Sequence, residues 1–237
     1  MGEIEEKIKK NHPQILFSSF VSINPEVVEI GKDQGLYVVI RQDYNLRDLS
    51  DNAKQRVIET YSRADFIITQ TLDMELELLA IKELQDCRIK VIDNPLDKED
   101  ILQKAAEPNP FEDNGIFHFL WVGRKDPIKG LSILEKAFEK VNKQYPNTEL
   151  TLVSNDPNPY RWIKNADCVV ISSLSEASPN VLKEAIFLGT PVISTDCSPT
   201  IRRTLPEQCI ARVGDSKDLA EKMISVIKDS GSHKSIN

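Results

Sequence analysis

Two glutamates flank the start of one predicted helix in SEASPNVLKEAIFLGTPVIS, residues 175–194. Glu176 precedes the helix and Glu184 follows eight positions later, in its second turn. Ser178 and Pro179 predict the helix start, because serine caps a first turn and proline tolerates the first helical position. Gly189 predicts its end. Carboxylates are suited to sugar hydroxyls, so we expect both acids to face one crevice and bind two ends of one ligand.

The first turn of this helix supplies groups of a second kind. The backbone N–H groups of Asn180 and Val181 have no partner within the helix. A helix N-terminus attracts negative charge, and in parallel sheets it lies beyond the carboxyl ends of the strands, where ligands bind. The predicted ligand therefore has sugar hydroxyls at both ends and phosphate in the middle.

A second turn whose side chains could bind a ligand lies in WVGRKDPIKGL, residues 121–131. Gly123 and Arg124 close a predicted strand, and Lys129 with Gly130 opens the next helix. Two cations beside a helix N-terminus can bind a diphosphate without a metal ion. No Asp-x-Asp pair, histidine cluster or EF-type loop indicates a metal site instead.

Short apolar runs alternate with amphipathic segments along the chain, which predicts an α/β protein with two Rossmann-like lobes and parallel sheets. The first series consists of strands at 15–20, 36–40, 65–70 and 88–93, read as buried parallel strands, with helices at 25–32, 51–63 and 73–85. The second series consists of strands at 116–124, 149–154, 168–173, 191–195 and 209–213, with helices at 128–144, 158–166, 179–188, 199–204 and 216–229.

The segment 94–115 combines prolines, asparagines and charges, which is typical of a boundary between lobes. We therefore predict a reduced N-terminal lobe at 1–95, a linker at 96–115 with a short helix near 98–106, and a C-terminal lobe at 116–237 that binds the ligand. The tail 231–237 is predicted to fray.

Composition narrows the class of protein. The 237 residues are 40% apolar, as in soluble globular proteins, and the net charge of −7 argues against a protein built to bind nucleic acid. Cys87, Cys168, Cys197 and Cys209 lie too far apart to indicate zinc or a disulfide framework. The charged N-terminus is not a signal peptide and no run approaches the ~18 apolar residues of a membrane span, so we expect a cytoplasmic protein.

Three stretches resemble motifs of the family 4 retaining glycosyltransferases. They are VGRKDPIKG (122–130), the long segment NPYRWIKNADCVVISSLSEASPNVLKEAIFLGTPVISTD (158–196) and, more weakly, IDNPLD (92–97). The spacing from Glu176 to Glu184 is the E-x7-E pair of that family. The resemblance is strong over residues 116–215 and holds only in outline for the first lobe, and it implies the two-lobed GT-B fold in an unusually short member.

The resemblance also implies roles. Arg124 and Lys129 would hold the diphosphate of a nucleotide-sugar donor, and Glu176 would contact the transferred sugar, so these three form the predicted catalytic set. Glu184 would hold the ribose diol. The full predicted donor site is Gly123, Arg124, Lys129, Glu176, Ser178, Asn180, Val181 and Glu184, with no metal ion and no cofactor.

The sequence departs from the family pattern at several places. Ala177 stands where a glycine is usual and Ser178 where a bulky apolar residue is usual, which leaves the shape of the sugar pocket open. The glycine-rich loop and further βα units of the first lobe are absent, as is the long crossing helix at the C-terminus. Arg41, Gln42 and Asp43 lie where the family often has a histidine.

Three other polar residues invite functional readings. His118 falls at strand spacing within IFHFLWV and is predicted to be a satisfied core histidine. Asp167 is predicted to cap a turn at a helix exit, and Asp196 is a candidate ligand contact at a strand end.

Two functions follow. The first is transfer of a sugar from a nucleotide-diphosphate donor to a hydroxyl acceptor with retention at the anomeric carbon, as in polysaccharide biosynthesis. The alternative is a non-catalytic module that binds a nucleotide sugar or supports a partner enzyme. The acceptor stays open among a glycan, a lipid-linked intermediate and a small molecule, and so do the oligomeric state and peripheral association with the inner face of the membrane.

Overall fold

The computed structural model describes residues 2–112 and 114–234. The chain divides into two compact units, Met1–Asn94 and Pro95–Asn237. One unit contains a four-stranded sheet and the other a five-stranded sheet. Every strand pair in both sheets is parallel, so the predicted α/β class with two parallel sheets is confirmed.

The first unit follows the predicted alternation and begins with one helix that the sequence analysis did not predict. That helix, α1 (Glu3–Asn11), has an acidic first turn and a basic last turn, which favour a helix, and it buries Ile8. The other elements are β1 (Ile15–Ser18), α2 (Asn24–Asp33), β2 (Tyr37–Arg41), α3 (Asp51–Tyr61), β3 (Phe66–Thr69), α4 (Leu72–Leu79) and β4 (Ile89–Val91).

The helices of this unit cover one face of its sheet. The strands lie in the order β1-β2-β3-β4, so each crossover moves the chain one strand in the same direction. Right-handed crossovers then place α2, α3 and α4 on the same face. One core cluster accordingly joins Val28, Tyr61 and Leu78 of the three helices to Ile40 and Ile67 of the sheet.

The opposite face of this sheet carries apolar side chains that are exposed. Ile15 and Phe17 of β1 are 59% and 58% exposed, and Tyr37, which pairs with Ile15, is 38% exposed. Successive strand residues point to opposite faces, so these side chains alternate with those of the core. The prediction of fully buried parallel strands is therefore wrong for β1, because the strand order leaves one face without helices.

Substitutions on the two faces should differ in their effect on stability. Ile40→Ala on the covered face should lower the free energy of unfolding by about 3 kcal/mol, because Ile40 is fully buried. Phe17→Ser on the open face should lower it by less than about 1 kcal/mol. Hydrogen exchange of the β2 amides measures both changes, and equal losses would contradict a one-sided core.

The second unit contains more elements and a different strand order. It comprises α5 (Lys98–Ala105), β5 (Phe117–Val122), α6 (Leu131–Gln144), β6 (Thr148–Val153), α7 (Tyr160–Asn165), β7 (Cys168–Ile171), α8 (Asn180–Leu188), β8 (Val192–Thr195), α9 (Pro199–Thr204), β9 (Ile210–Ala211) and α10 (Ser216–Lys234). Its strands lie in the order β6-β5-β7-β8-β9.

This order reverses direction after β6, so helices cover both faces of the second sheet. One core cluster contains Leu134 of α6 and Met223 of α10. A separate cluster contains Ile163 of α7 and Leu182 of α8. The loops that leave β5 and β7 therefore turn to opposite faces, and a crevice opens between them at the carboxyl ends of the strands.

Several predicted boundaries differ from the structure. The predicted linker 96–115 contains α5, which belongs to the second unit, and Asn158 Nδ2 of that unit donates to the Lys104 carbonyl of α5 at 2.9 Å. The predicted helix 128–144 is a 3₁₀ turn, Pro127–Lys129, followed by α6, and the predicted helix 73–85 is α4 followed by a 3₁₀ turn, Lys82–Leu84.

The last helix is longer than predicted, because α10 continues to Lys234 into the tail that was expected to fray. Residues 235–237 of that tail lie outside the described residues. Of the helices that the structure describes, none combines the length and the apolar character needed to cross a membrane.

Candidate functional site

A cavity of about 290 Å³ lies at the carboxyl ends of β5 and β7, where the strand order places the crevice. Its floor is formed by strand residues that include Trp121 and Ile171. Seven of the eight residues predicted for the donor site line it: Gly123, Arg124, Lys129, Glu176, Ser178, Asn180 and Val181. The two loops singled out in the sequence thus meet in one place.

An ion pair joins the two loops inside the cavity. Lys129 Nζ lies 2.6 Å from Glu176 Oε1, and the two side chains are only 24% and 14% exposed. The Ser173 hydroxyl donates to the same Glu176 oxygen at 2.7 Å. The Glu176 backbone N–H donates to the Cys197 carbonyl at 3.0 Å. The carboxylate is therefore held by two contacts, and the backbone of the same residue by a third.

The loop that carries Lys129 is fastened to the loop after β7. The Ser172 hydroxyl donates to the Lys129 carbonyl at 2.9 Å, and the Leu174 N–H donates to the Ile128 carbonyl at 2.7 Å. Gly130 has φ +63°, and a Cβ at this position would lie 2.0 Å from the Ser172 carbonyl oxygen. Glycine is required here because the backbone is left-handed and the approach is too close for any side chain.

Arg124 gives the cavity a cation that Glu176 does not neutralise. Its side chain is exposed, and it makes no ion pair with any residue that the structure describes. Its backbone carbonyl accepts from the Asp126 N–H at 2.8 Å, which holds the start of the loop. The cavity therefore contains a balanced Lys129–Glu176 pair and the additional positive charge of Arg124.

The N-terminus of α8 opens at the same cavity. The N-cap of this helix is Pro179, one residue later than the predicted cap at Ser178. Pro179 offers no side-chain oxygen, so its side chain makes no capping hydrogen bond to the first turn. Ser178 is buried beside the cavity. The positive end of the helix dipole therefore adds to the cations.

Glu184 is the predicted site residue that does not line the cavity. It lies on α8 four residues after Asn180, which places it one turn, about 6 Å, farther along the same helix face. Burial raises the pKa of the Glu184 carboxyl. Burial, followed by the negative charge of Glu184, raises the pKa of the Tyr160 hydroxyl on α7. Of the two glutamates, Glu176 in the loop before α8 lines the cavity, and Glu184 within α8 does not.

The sequence analysis missed Ser172, Ser173 and Gly130 as contributors to this geometry. Ser172 and Ser173 were read as the end of a strand, and nothing in their local pattern indicates that their hydroxyls face the other loop. Gly130 was read as a helix opener, although its position between a charged loop and an amphipathic helix is a signal for a left-handed turn.

Three further predictions have mixed outcomes. His118 is a buried residue that stacks on Phe111 at 4.3 Å, so the prediction of a core histidine is confirmed. Its Nδ1 lies 3.7 Å from Glu149 Oε2, but neither ring nitrogen makes a hydrogen bond to a described residue, so the prediction that it is satisfied is wrong. Asp167 Oδ2 accepts from the His118 N–H at 2.8 Å, which ties neighbouring strands rather than capping a helix. Asp196 accepts from Arg202 Nε at 2.6 Å, at a different surface cavity.

Within 2–112 and 114–234, no three His, Cys, Asp or Glu side chains converge in a way that could hold a metal ion. The hydroxyls of Tyr44 and Tyr61 share one hydrogen bond of 2.8 Å in the first unit, away from the donor-site residues in sequence.

Solved structures of other proteins share the fold of this chain. The chain matches a UDP-forming α,α-trehalose-phosphate synthase from Burkholderia xenovorans with a TM-score of 0.75 at 12% identity, covering 94% of this chain and 68% of that one. It matches the Anabaena protein HepE in complex with UDP-glucose with a TM-score of 0.74 at 14% identity, covering 97% and 72%. The chain has the GT-B fold.

Sequence comparison finds similarity to glycosyltransferases over part of the chain. Residues 157–229, which carry the helices from α7 to α10 of this GT-B chain, match the family model for glycosyl transferases group 1. An uncharacterized glycosyltransferase of Methanocaldococcus jannaschii is 30% identical over 177 residues, 61% of this chain and 43% of that protein.

A second curated relative has a defined activity in its name. It is N-acetylgalactosamine-N,N'-diacetylbacillosaminyl-diphospho-undecaprenol 4-alpha-N-acetylgalactosaminyltransferase of Campylobacter jejuni, 23% identical over 158 residues, which are 57% of this chain and 42% of that protein. The GT-B chain described here spans about two fifths of the length of both curated relatives.

Proposed function

We propose that the chain is a glycosyltransferase that moves a sugar from a nucleotide-diphosphate donor to a hydroxyl acceptor, with retention at the anomeric carbon and without a metal ion. One observation carries the proposal: a single cavity gathers Arg124, the Lys129–Glu176 pair and the N-terminus of α8. The GT-B fold and the group 1 match over 157–229 support it.

The chemistry rests on stabilising the departing diphosphate. As the bond from the anomeric carbon to the diphosphate breaks, the sugar gains oxocarbenium character and negative charge accumulates on the phosphate oxygens. Arg124 and Lys129 supply positive charge at that point, and the α8 amides of Asn180 and Val181 supply N–H donors. The loop contacts hold the backbone that carries Lys129, so the movement required there is the turn of the Lys129 side chain from Glu176 to the phosphate.

The two glutamates then serve two ends of the donor. Glu176 lies inside the cavity and would accept hydrogen bonds from hydroxyls of the transferred sugar. Glu184 lies one helical turn beyond Asn180, a suitable distance for a ribose diol if the diphosphate spans the α8 N-terminus. The raised pKa of its half-buried carboxyl fits a group that is satisfied by neutral hydroxyls rather than by a cation.

Uridine nucleotides are the first donors to test, because HepE was solved with UDP-glucose. The Campylobacter relative is named for an undecaprenol-linked diphospho-sugar acceptor, which makes lipid-linked acceptors one arm of the screen. Glycans and small alcohols are the others. Nuclear magnetic resonance of the product's anomeric proton distinguishes retention from inversion.

Arg124→Ala should lower kcat/KM for transfer at least tenfold, about 1.4 kcal/mol of transition-state stabilisation, because it removes the cation that Glu176 does not neutralise. Lys125→Ala is the matched control, since Lys125 is exposed in the same loop and does not line the cavity. Turnover with radiolabelled donor, with and without a chelator, measures both variants. Equal activity of the two variants would refute the role of Arg124.

The alternative is a module that binds the donor without transferring its sugar. The uncovered face of the first sheet favours it, because a first lobe with exposed Ile15 and Phe17 offers less structure for an acceptor. Calorimetric binding of a nucleotide sugar, with neither transfer nor donor hydrolysis across the acceptor panel, would establish this alternative. Any enzyme-dependent turnover excludes it.

A further inference from the structure

The Lys129–Glu176 ion pair lies in the cavity that the proposed function assigns to the donor's diphosphate. We propose that Glu176 competes with the diphosphate for the Lys129 ammonium. The negative charge of Glu176 then lowers the affinity for a nucleoside diphosphate, and a sugar on the diphosphate offsets this loss. The inference rests on the proposed function and adds to it a means of telling the sugar donor from the nucleoside diphosphate that the reaction leaves behind.

Contact and burial make the competition strong. The two charged atoms are 2.6 Å apart, and both side chains are largely buried, so their attraction is screened less than that of an exposed pair. A diphosphate that approaches Lys129 must either displace the carboxylate or share the ammonium with it. In both cases it meets a like charge at close range, which disfavours binding.

Glu176 is the fixed partner and Lys129 the movable one. Ser173 Oγ donates to Glu176 Oε1 at 2.7 Å, and the Ser173 carbonyl accepts from Thr195 Oγ1 at 2.5 Å. Lys129 has a flexible four-carbon stem. When the ammonium turns to a phosphate, the hydroxyl of Ser173 keeps the carboxylate in place.

A sugar on the diphosphate reduces the cost of breaking the Lys129–Glu176 ion pair. Hydroxyls of the transferred sugar can donate to the Glu176 carboxylate and replace the hydrogen bond that Lys129 withdraws. The complete donor therefore compensates for the broken ion pair, whereas the nucleoside diphosphate cannot. After transfer, the restored Lys129–Glu176 pair favours release of the diphosphate product.

Binding of UDP and UDP-glucose to wild type and Glu176→Gln tests the competition by calorimetry. The glutamine keeps the size and the Ser173 contact but removes the charge, so UDP should bind roughly fivefold more tightly. UDP-glucose should gain less or lose affinity, so the preference for the sugar-bearing ligand falls. GDP and ADP with their glucose derivatives replace the uridine pair if wild type prefers another base.

Matched variants separate charge from general perturbation. Glu135→Gln on the exposed face of α6 should leave both affinities unchanged. If Glu176→Gln folds poorly by thermal melting, Glu176→Asp draws the carboxylate back from Lys129 and should shift UDP affinity in the same direction. Ser173→Ala should tighten UDP binding in the same direction as Glu176→Gln, by a smaller factor, because its hydroxyl no longer holds the Glu176 carboxylate in place when Lys129 turns to the phosphate.

The outcomes distinguish this inference from the proposed function. If wild type binds a nucleoside diphosphate and Glu176→Gln binds it equally or more weakly, the competition is refuted while the donor site stands. If wild type binds no nucleoside diphosphate and no nucleotide sugar, the proposed function fails and the inference fails with it.

Discussion

Gly130→Ala should lower the free energy of unfolding of the second unit by about 3 kcal/mol, combining the cost of a left-handed alanine with that of an overpacked contact. The alanine Cβ would lie 2.0 Å from the Ser172 carbonyl oxygen, so one of the two loops must move. Denaturant unfolding followed by tryptophan fluorescence measures the change, because Trp121 and Trp162 both lie in this unit.

Transfer should fall with stability, because the displaced loop carries Lys129. Ser172 and Leu174 fasten that loop through hydrogen bonds at 2.9 and 2.7 Å, and a shift of the backbone draws Lys129 away from Glu176. A displacement of about 1 Å is enough to cost on the order of a hundredfold in rate when it misplaces a catalytic group.

Gly189→Ala is the matched control for backbone strain. Gly189 also has a left-handed φ of +78°, but no atom lies within 4 Å of the position its Cβ would take. It should lose only about 1 kcal/mol and retain transfer. Equal losses for the two alanine variants would mean that the close approach to Ser172 contributes nothing.

The elements of the second unit were predictable because each strand and helix carries a local signal. The strand CVVI is a short apolar run, VIST is rich in β-branched residues, and α6 shows the helical period on both sides of Leu134. The convergence of Arg124, Lys129 and Glu176 was also predictable, since both loops follow parallel strands and the carboxyl ends of such strands share one edge. Local pattern and topology agree here.

What the sequence did not reveal depends on tertiary contacts. Nothing local indicates that Lys129 and Glu176 pair directly, because this contact joins two loops 47 residues apart in the sequence. Ser173 is only three residues from Glu176, but its hydrogen bond to the carboxylate depends on how the loop after β7 folds. The absence of Glu184 from the cavity has the same origin. The sequence positions of the two glutamates allow both to face one crevice. The folded structure shows that Glu176 lines the cavity and Glu184 does not.

The first unit shows a different limit of sequence patterns. Three of the four residues of β1, Ile15 to Phe17, are apolar in succession, which is typical of a strand buried on both faces. Its exposed face follows from the strand order β1-β2-β3-β4, a property of the whole unit that no single strand encodes. The same sequential order explains why one core cluster serves this unit while two serve the other.

Lys129→Met should lower kcat/KM for transfer by about a hundredfold or more, at least about 2.7 kcal/mol, because two effects act together. The substitution removes the largely buried cation of the cavity and leaves Glu176 without that positive charge beside the proposed diphosphate position. The methionine keeps the apolar stem of the lysine, so the packing of the loop is largely preserved.

The double variant Lys129→Met with Glu176→Gln separates the two effects. Removing the carboxylate should restore part of the UDP affinity that Lys129→Met loses, because the like charge is gone, but it should not restore turnover, because the ammonium and the sugar contact are both missing. Lys136→Met on the exposed surface of α6 controls for the loss of a lysine. Turnover of Lys129→Met within twofold of that control would show that the ammonium does not act on the donor, and the role of the cavity would then rest on Arg124 and the α8 amides alone.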